Sequence, residues 1–584
     1  MAKLFTFPSL IISLFLFSFN ALATVPPSAT FKHVNNGEFG PFVVEYLGNY
    51  RVISIANAPF QLAFYNTTPN AFTLALRMAS TRSESLFRWV WEANRGNPVR
   101  ENATFSLRAD GNLVLADADG RIAWQTNTAN RGVVGFKLLS NGNMVLHDSK
   151  GKFIWQSFDH PTDTLLVGQS LRVGGPTKLV SRASARNNVN GAYSLVMEPK
   201  GLVLQYKGLN SPKPLVYFKS SVWPSTQDGT LQTVTLNVEP NTHEGFAYNI
   251  VLHYKVAKSS SGATGNLILA RPKYNSTLSI LQLGIDGNLK VFTYNDKVDS
   301  RAWEETFTLF SRNSIWGTEC ELPERCGSFG VCEENQCVAC PSAKGLLGWN
   351  KNCQPKKVRS CRPNDFSYYK VEGVNHFMSR YNEGQGPIKE SECGKKCSVD
   401  CKCLGYFYHR ETSKCWVANE LKTLAKTSNT SHVGYIKAPK NAWDETFTLF
   451  KRDGSWDDEC QLPERCGRFG LCEDSQCVAC PSPNGLMGWS KDCEVKKLPS
   501  CNENDFYYYK LEGVDHFMTG YTRGNGVKED ECGRKCSRDC KCLGYFYNQE
   551  TSSGKWKPLS KPLRVPKCIS ITMLLQHPLT ATAM

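Results

Sequence analysis

Between residues 88 and 160 the chain alternates apolar and polar positions in short runs hinged on glycine turns. Asp110-Gly111-Asn112-Leu113-Val114-Leu115 leads to Trp124, and Asn141-Gly142-Asn143-Met144-Val145-Leu146 leads to Trp155, twelve residues from Asn to Trp both times. Trp91, in Val90-Trp91-Glu92-Ala93-Asn94-Arg95, precedes Trp124 by 33 residues, and Trp124 precedes Trp155 by 31. Period-2 alternation around glycine turns predicts antiparallel hairpins. The near-equal spacing predicts three units around one core, each contributing an indole. An ordinary β-sandwich fits the same pattern. Weaker strand-turn-strand patterns recur at Tyr193 to Tyr206 and Leu278 to Phe310, with Asp286-Gly287-Asn288-Leu289 at the matching place.

Three segments carry a family resemblance: Val90-Trp91-Glu92-Ala93-Asn94-Arg95-Gly96-Asn97-Pro98-Val99, Asp110 to Leu115, and Ile154-Trp155-Gln156-Ser157-Phe158-Asp159-His160-Pro161-Thr162-Asp163-Thr164-Leu165. Together, over residues 30–165, they resemble the plant bulb-type, mannose-binding lectin domain. The resemblance implies a β-prism of three small sheets, with a second, degenerate copy over 166–312. It also implies a sugar site of the form Gln-x-Asp-x-Asn-x-Val-x-Tyr on one strand, where side chains two apart share a face. In the best copy Arg108, Asp110, Asn112, Val114 and Ala116 fill the five places, so Gln and Tyr are lost. Leu139, Asn141, Asn143, Val145 and His147 keep only Asn and Val. In the second domain Gly284, Asp286, Asn288, Lys290 and Phe292 keep Asp and Asn, and Met197, Pro199, Gly201, Val203 and Gln205 keep only Val. Each missing hydrogen bond to a neutral hydroxyl costs ~0.5–1.5 kcal/mol, so weak or absent mannose binding is expected. In the competing reading Asp-Gly-Asn is a hairpin turn whose side chains cap their own backbone. In a third, Arg108 instead recruits an acidic sugar.

All 24 cysteines of this 584-residue chain lie at or beyond Cys320, so two differently stabilised kinds of domain are joined. Six of them, Cys320, Cys326, Cys332, Cys337, Cys340 and Cys353, allow fifteen pairings. Residues 320–353 resemble the small EGF-like module of plant S-locus-type glycoproteins, which implies Cys320 with Cys332, Cys326 with Cys337 and Cys340 with Cys353. Residues 361–440 resemble a PAN/apple domain, which implies Cys393 with Cys415 and Cys397 with Cys403, leaving Cys361 for Cys401. Cys393 and Cys397, four apart, share one face of a helix. The expected fold class is thus mainly β: tandem bulb-type lectin β-prism domains followed by disulfide-rich EGF-like and PAN/apple (α+β) modules. This order resembles the epidermis-specific secreted glycoproteins of plants.

From Ala442 the chain repeats itself. Trp443 to Phe450 copies Trp303 to Phe310, and Cys460 to Cys501 follow Cys320 to Cys361 at an offset of 140. The repeat divides into a strand and EGF-like module at 441–493, a truncated PAN domain at 501–553 and an unrelated tail at 554–584. Unequal duplication, or the joining of two tandem genes, explains it. Gly554 stands where Cys415 would recur, so Cys532 is expected to lose its partner, Cys568 to be stranded in the tail, and the second copy to fold poorly.

Lys3, an apolar stretch from Leu10 to Phe19 and Ala21-Leu22-Ala23 read as a signal peptide, 1–23, too short for a membrane anchor; no later segment reads as a membrane span. An oxidising lumen turns the cysteines into disulfides, so no metal and no cofactor are expected despite the Cys337-Val338-Ala339-Cys340 spacing. Glycosylation sequons stand at Asn66, Asn102, Asn275 and Asn429. The net charge of +15 is dispersed, which suits acidic cell-wall polysaccharides and argues against nucleic acid.

No catalytic residues are expected. The ten histidines form no HExxH and no serine lies in GxSxG. Glu304 and Glu305 are adjacent and face opposite ways on a strand, while His376 and His516 read as packed core residues. The expected function is that of a secreted, non-enzymatic, lectin-like glycoprotein of the plant cell wall or apoplast that contacts glycans or acidic wall polymers. The alternative is a protein-interaction module resembling a soluble lectin-receptor ectodomain, which meets an unknown protein partner through its PAN domain.

Overall fold

The computed structural model describes residues 24–79, 86–220, 229–242, 245–256, 259–272, 278–295, 303–343, 345–349, 352–356, 358 and 362–440, with parts of 459–572. The expected signal peptide, Asn275, Cys361 and the repeated strand at 443–450 lie outside the described residues. Two compact units result, 1–349 with 354–439, and 440–584 with 350–353.

The first unit opens with eleven short strands: β1 (Phe31–Val34), β2 (Asn49–Asn57), β3 (Phe60–Asn66), β4 (Thr73–Met78), β5 (Arg88–Glu92), β6 (Thr104–Leu107), β7 (Leu113–Ala116), β8 (Ile122–Gln125), β9 (Gly135–Leu138), β10 (Met144–His147) and β11 (Phe153–Gln156). They pair antiparallel in three sheets, ordered β2-β3-β4-β5, β1-β6-β7-β8 and β9-β10-β11. An edge strand of each sheet supplies one indole, and Trp91, Trp124 and Trp155 meet edge to face with ring centroids 5.7, 5.8 and 6.3 Å apart. That closed triangle is the pseudo-threefold axis, and Phe60, Leu62, Phe64, Leu74, Leu76, Phe105, Leu115 and Leu146 fill the interior around it. No cysteine is available to this prism, so its stability rests on apolar burial.

A second prism follows: β12 (Thr164–Leu166), β13 (Ser170–Arg172), β14 (Lys178–Arg182), β15 (Asn190–Glu198), β16 (Gly201–Tyr206), β17 (Leu215–Lys219), β18 (Gly229–Thr242), β19 (Gly245–Val256), β20 (Ser259–Ala270), β21 (Ser279–Leu283), β22 (Leu289–Tyr294) and β23 (Trp303–Thr308). Its three sheets run β12-β21-β22-β23, β13-β18-β19-β20 and β14-β15-β16-β17. The boundary expected after residue 165 shifts, because β12 pairs with β21, Leu165 opposite Leu281. Ile280 and Tyr294 pack into the core of the first prism, and Leu165 into that of the second. A β-prism closes only when each sheet finds its third wall, and the two prisms exchange residues along the shared one.

The disulfide-rich region of this unit holds β24 (Phe329–Glu333), β25 (Gln336–Ser342), β26 (Gly345–Gly348), β27 (Phe366–Glu372), β28 (Val374–His376), the helix α1 (Glu390–Val399), β29 (Gly405–His409), β30 (Lys414–Ala418), β31 (Lys422–Lys426) and β32 (His432–Pro439). The segments expected to be EGF-like and PAN, 320–353 and 361–440, are joined by one sheet. β24 pairs in parallel with β31, Val331 opposite Leu424, inside one sheet ordered β26-β25-β24-β31-β28. Leu322, Val331, Phe377, Leu424 and Ile436 also belong to the core cluster of the second prism, so too small a segment gains a core by merging with its neighbours. Disulfides join Cys320 to Cys332, Cys326 to Cys337, Cys393 to Cys415 and Cys397 to Cys403, and Cys340, Cys353 and Cys401 are also disulfide-bonded.

In the second unit β33 (Leu471–Glu473), β34 (Gln476–Ser482) and β35 (Gly485–Gly488) make one sheet. A second sheet, ordered β36-β38-β37, contains β36 (Asn525–Gly526), β37 (Cys542–Asn548) and β38 (Lys567–Thr572), with α2 (Glu529–Ser537) packed on it. Cys460–Cys472, Cys466–Cys477, Cys480–Cys493 and Cys536–Cys542 are bonded. One sequence expectation is corrected here: Cys532 does not lose its partner but is disulfide-bonded, and the tail supplies the strand β38. Antiparallel pairing needs a strand of suitable register, not one at a fixed distance along the chain.

Candidate carbohydrate-binding face

Three turns of the prisms share one geometry. Gly111, Gly142 and Gly287 take φ of 83, 85 and 81°, a left-handed conformation that reverses the chain and suits glycine. The side chain two residues before the Asn caps it: Oδ1 of Asp110, Asn141 and Asp286 accepts the backbone N–H of Asn112, Asn143 and Asn288 at 2.9, 3.1 and 3.0 Å. The expected five-residue strand face is therefore not continuous. Arg108 to Asn112 form the turn between β6 and β7, and only Val114 and Ala116 lie on the strand.

Each asparagine of the triplet then turns inward. Asn112 Nδ2 donates to Gln125 Oε1 at 2.8 Å, and its Oδ1 accepts from Thr126 Oγ1 and the Thr128 N–H. Asn143 repeats this with Gln156 at 2.9 Å, Ser157 Oγ and the Phe158 N–H. Asn288 clasps the backbone of Phe310 from both sides, at 2.8 and 3.0 Å. These side chains latch the turn to the end of the next strand, which explains the twelve-residue spacing, since Gln125 and Gln156 directly follow the core tryptophans. Val114 and Val145 are 0% exposed and cannot touch a sugar ring. Arg108 and Asn141 are exposed, and Asp110 is half-buried.

Sequence reasoning missed a second feature beside the tryptophan triangle. A groove of about 480 Å³ is lined by Trp91, Trp124, Trp155, His160, Lys178 and Asn190 among others. The His160 ring stacks on Trp155 with centroids 5.6 Å apart, and Trp91 Nε1 donates to the His160 carbonyl at 2.9 Å. In its wall, half-buried Arg95 joins Glu92 at 2.7 Å and Asp163 at 2.6 Å, and buried Arg182 joins Glu92 at 3.0 Å and the Tyr65 hydroxyl at 2.6 Å. This network rivets β5 to β14, across the prism boundary. Glu92, Arg95 and Asp163 all lie in the motif segments, but only the fold brings Arg182 to them.

Among the sequons, Asn102 and Asn429 are exposed, whereas Asn66 ends β3 and is 5% exposed, leaving a glycan no path to solvent. Among the described residues no cluster of His, Cys, Asp or Glu has the arrangement of a metal site, and no helix is long and apolar enough to cross a membrane.

Comparison with known proteins places this arrangement. A family model described as D-mannose binding lectin matches residues 88–186, and one described as S-locus glycoprotein domain matches 236–349. The EP1-like glycoprotein 4 of Arabidopsis thaliana is 50% identical over 433 residues, covering 74% of this chain and 96% of that protein. This chain belongs to the EP1-like glycoprotein family. The epidermis-specific secreted glycoprotein EP1 of Daucus carota is 58% identical over 363 residues, 60% of this chain and 92% of that protein. A putative receptor protein kinase of Zea mays is 27% identical over 402 residues, 66% of this chain and 46% of that protein. The chain is accordingly a secreted, lectin-like glycoprotein, and its turns and latches belong to a bulb-type lectin scaffold.

Proposed function

We propose that the chain is a non-catalytic recognition glycoprotein of the plant cell wall or apoplast whose mannose-type sites have become structural. The inward latches of Asn112 and Asn143 carry this reading, because they hold inside the prism the amides that a sugar would need. What remains outward in the best copy is Arg108, exposed beside half-buried Asp110, on a chain of net charge +15. That charge balance supports contact with acidic wall polysaccharides, retained by dispersed cations rather than by a closed pocket.

The test is retention of the secreted protein on immobilised polygalacturonate and on mannose resin. Retention on the polyanion that is mostly lost in moderate salt, where the Debye length shrinks to ~10 Å at 0.1 M, supports the reading. Specific elution by free mannose, abolished by Asp110→Ala, overturns it. A second reading, protein recognition through the PAN domain, draws on the likeness to a receptor kinase; the exposed apolar pair Leu346 and Leu347 offers a contact surface on β26 of the neighbouring EGF-like segment.

A further inference from the structure

The two helix-on-sheet segments superpose by backbone pairing alone. In the first, β29 meets β30 with Tyr406 opposite Val417, Phe407 opposite Trp416, Tyr408 opposite Cys415 and His409 opposite Lys414. In the second, β37 meets β38 with Tyr545 opposite Ser570, Phe546 opposite Ile569, Tyr547 opposite Cys568 and Asn548 opposite Lys567. β29 and β37 share the sequence Gly-Tyr-Phe-Tyr, so Tyr408 corresponds to Tyr547 and Cys568 takes the register position of Cys415. An independent pairing agrees. Gln385 bridges to Cys415, and its counterpart Asn525, in β36, pairs with Cys568. A lysine precedes the cysteine in both strands, Lys414 and Lys567.

The helices complete the correspondence. α1 packs on β29 and β30, and α2 on β37 and β38. From α1, Cys393 is bonded to Cys415 across a Cα separation of 5.8 Å, within the range a disulfide requires. Its counterpart on α2, Cys532, is buried and disulfide-bonded, and the other helix cysteine, Cys536, repeats the Cys397–Cys403 bond with Cys542. Gly554, the counterpart of Cys415 in chain order, has no sulfur.

We propose that Cys568 is the disulfide partner of Cys532, so that the tail closes the second helix-on-sheet module in place of the strand the repeat lost. The bond forms by thiol–disulfide exchange with a dithiol oxidoreductase of the secretory lumen. Its disulfide is attacked by one thiolate, the resulting mixed disulfide is attacked by the other, and the two electrons leave as the reduced dithiol. The chain then carries two such modules. Among the described residues the second has no counterpart of β31 beside β33 and none of β32 beside β37.

The experiment uses the full secreted chain, alkylated with N-ethylmaleimide before denaturation, digested without reduction and mapped by mass spectrometry. A cross-linked peptide pair holding Cys532 and Cys568, lost on reduction, is expected. An alkylated Cys568, or Cys532 joined to any other cysteine, overturns the proposal. Cys568→Ser is expected to leave one alkylatable thiol, at Cys532, with the Cys393–Cys415 peptide pair intact; a Cys532 that stays cross-linked in this variant overturns it equally. Should the variant fail to be secreted, the map of the unaltered chain decides by itself.

Discussion

Single side chains in this protein join turns to strands, and Asn112 is the clearest case. Asn112→Ala removes the Gln125 bond and leaves the Thr128 N–H without its acceptor in a buried place, a loss of about 1–3 kcal/mol. Thermal unfolding is expected at a lower Tm, with polygalacturonate retention unchanged. Burial also decides which sequons are usable: glycopeptide mapping is expected to find glycan at Asn102 and Asn429 and none at Asn66. His376 is fully buried, donates from Nε2 to the Glu420 carbonyl at 2.8 Å and accepts the Met378 N–H at Nδ1, which fixes the neutral ring. Burial pushes its pKa down to about 4, against about 6.5 in the unfolded chain. Between those values the unfolded state takes up a proton that the folded state refuses. Stability is therefore complete above pH ~6.5 and falls by up to about 1.4 kcal/mol per pH unit on acidification towards 4. Melting curves from pH 7 to 4.5 should show the fall, and His376→Gln should flatten it.

Among the elements, hairpins built from strands of four to nine residues do not persist alone, and the tryptophan triangle makes three sheets into one object. Trp155 meets each of the other indoles edge to face, so Trp155→Ala leaves a cavity on the axis and is expected to cost about 3–5 kcal/mol. The midpoint of denaturant unfolding measures it, and an unchanged midpoint would deny the triangle its role. β38 illustrates how freely an element can be supplied. β30 begins at Lys414, soon after β29 ends at His409, whereas β38 begins at Lys567 and β37 ends at Asn548, yet the longer connection adds only about 1 kcal/mol of closure entropy.

At the scale of the whole chain, two means of stabilisation divide the molecule at Cys320. Reduction with dithiothreitol is expected to make the segments beyond 320 protease-sensitive, because segments of that size lose about 2–5 kcal/mol per native disulfide. The first prism, whose core is separate from that of the disulfide-rich region, should survive as a resistant fragment, read by limited proteolysis and mass spectrometry. The sequence by itself determined the mainly β fold class, the three-unit period and the axis tryptophans, since these follow from local alternation and spacing that every unit repeats. It also supports the expectation that the sugar motifs are incomplete, because residue identity is all that expectation needs. Only the tertiary structure decided that Asn112 and Asn143 face inward, that β12 belongs to the second prism, that β24 and β31 share a sheet, and that Arg182 meets Glu92. These are contacts between residues distant along the chain, set by which surfaces find partners once the sheets close, and no local pattern encodes them.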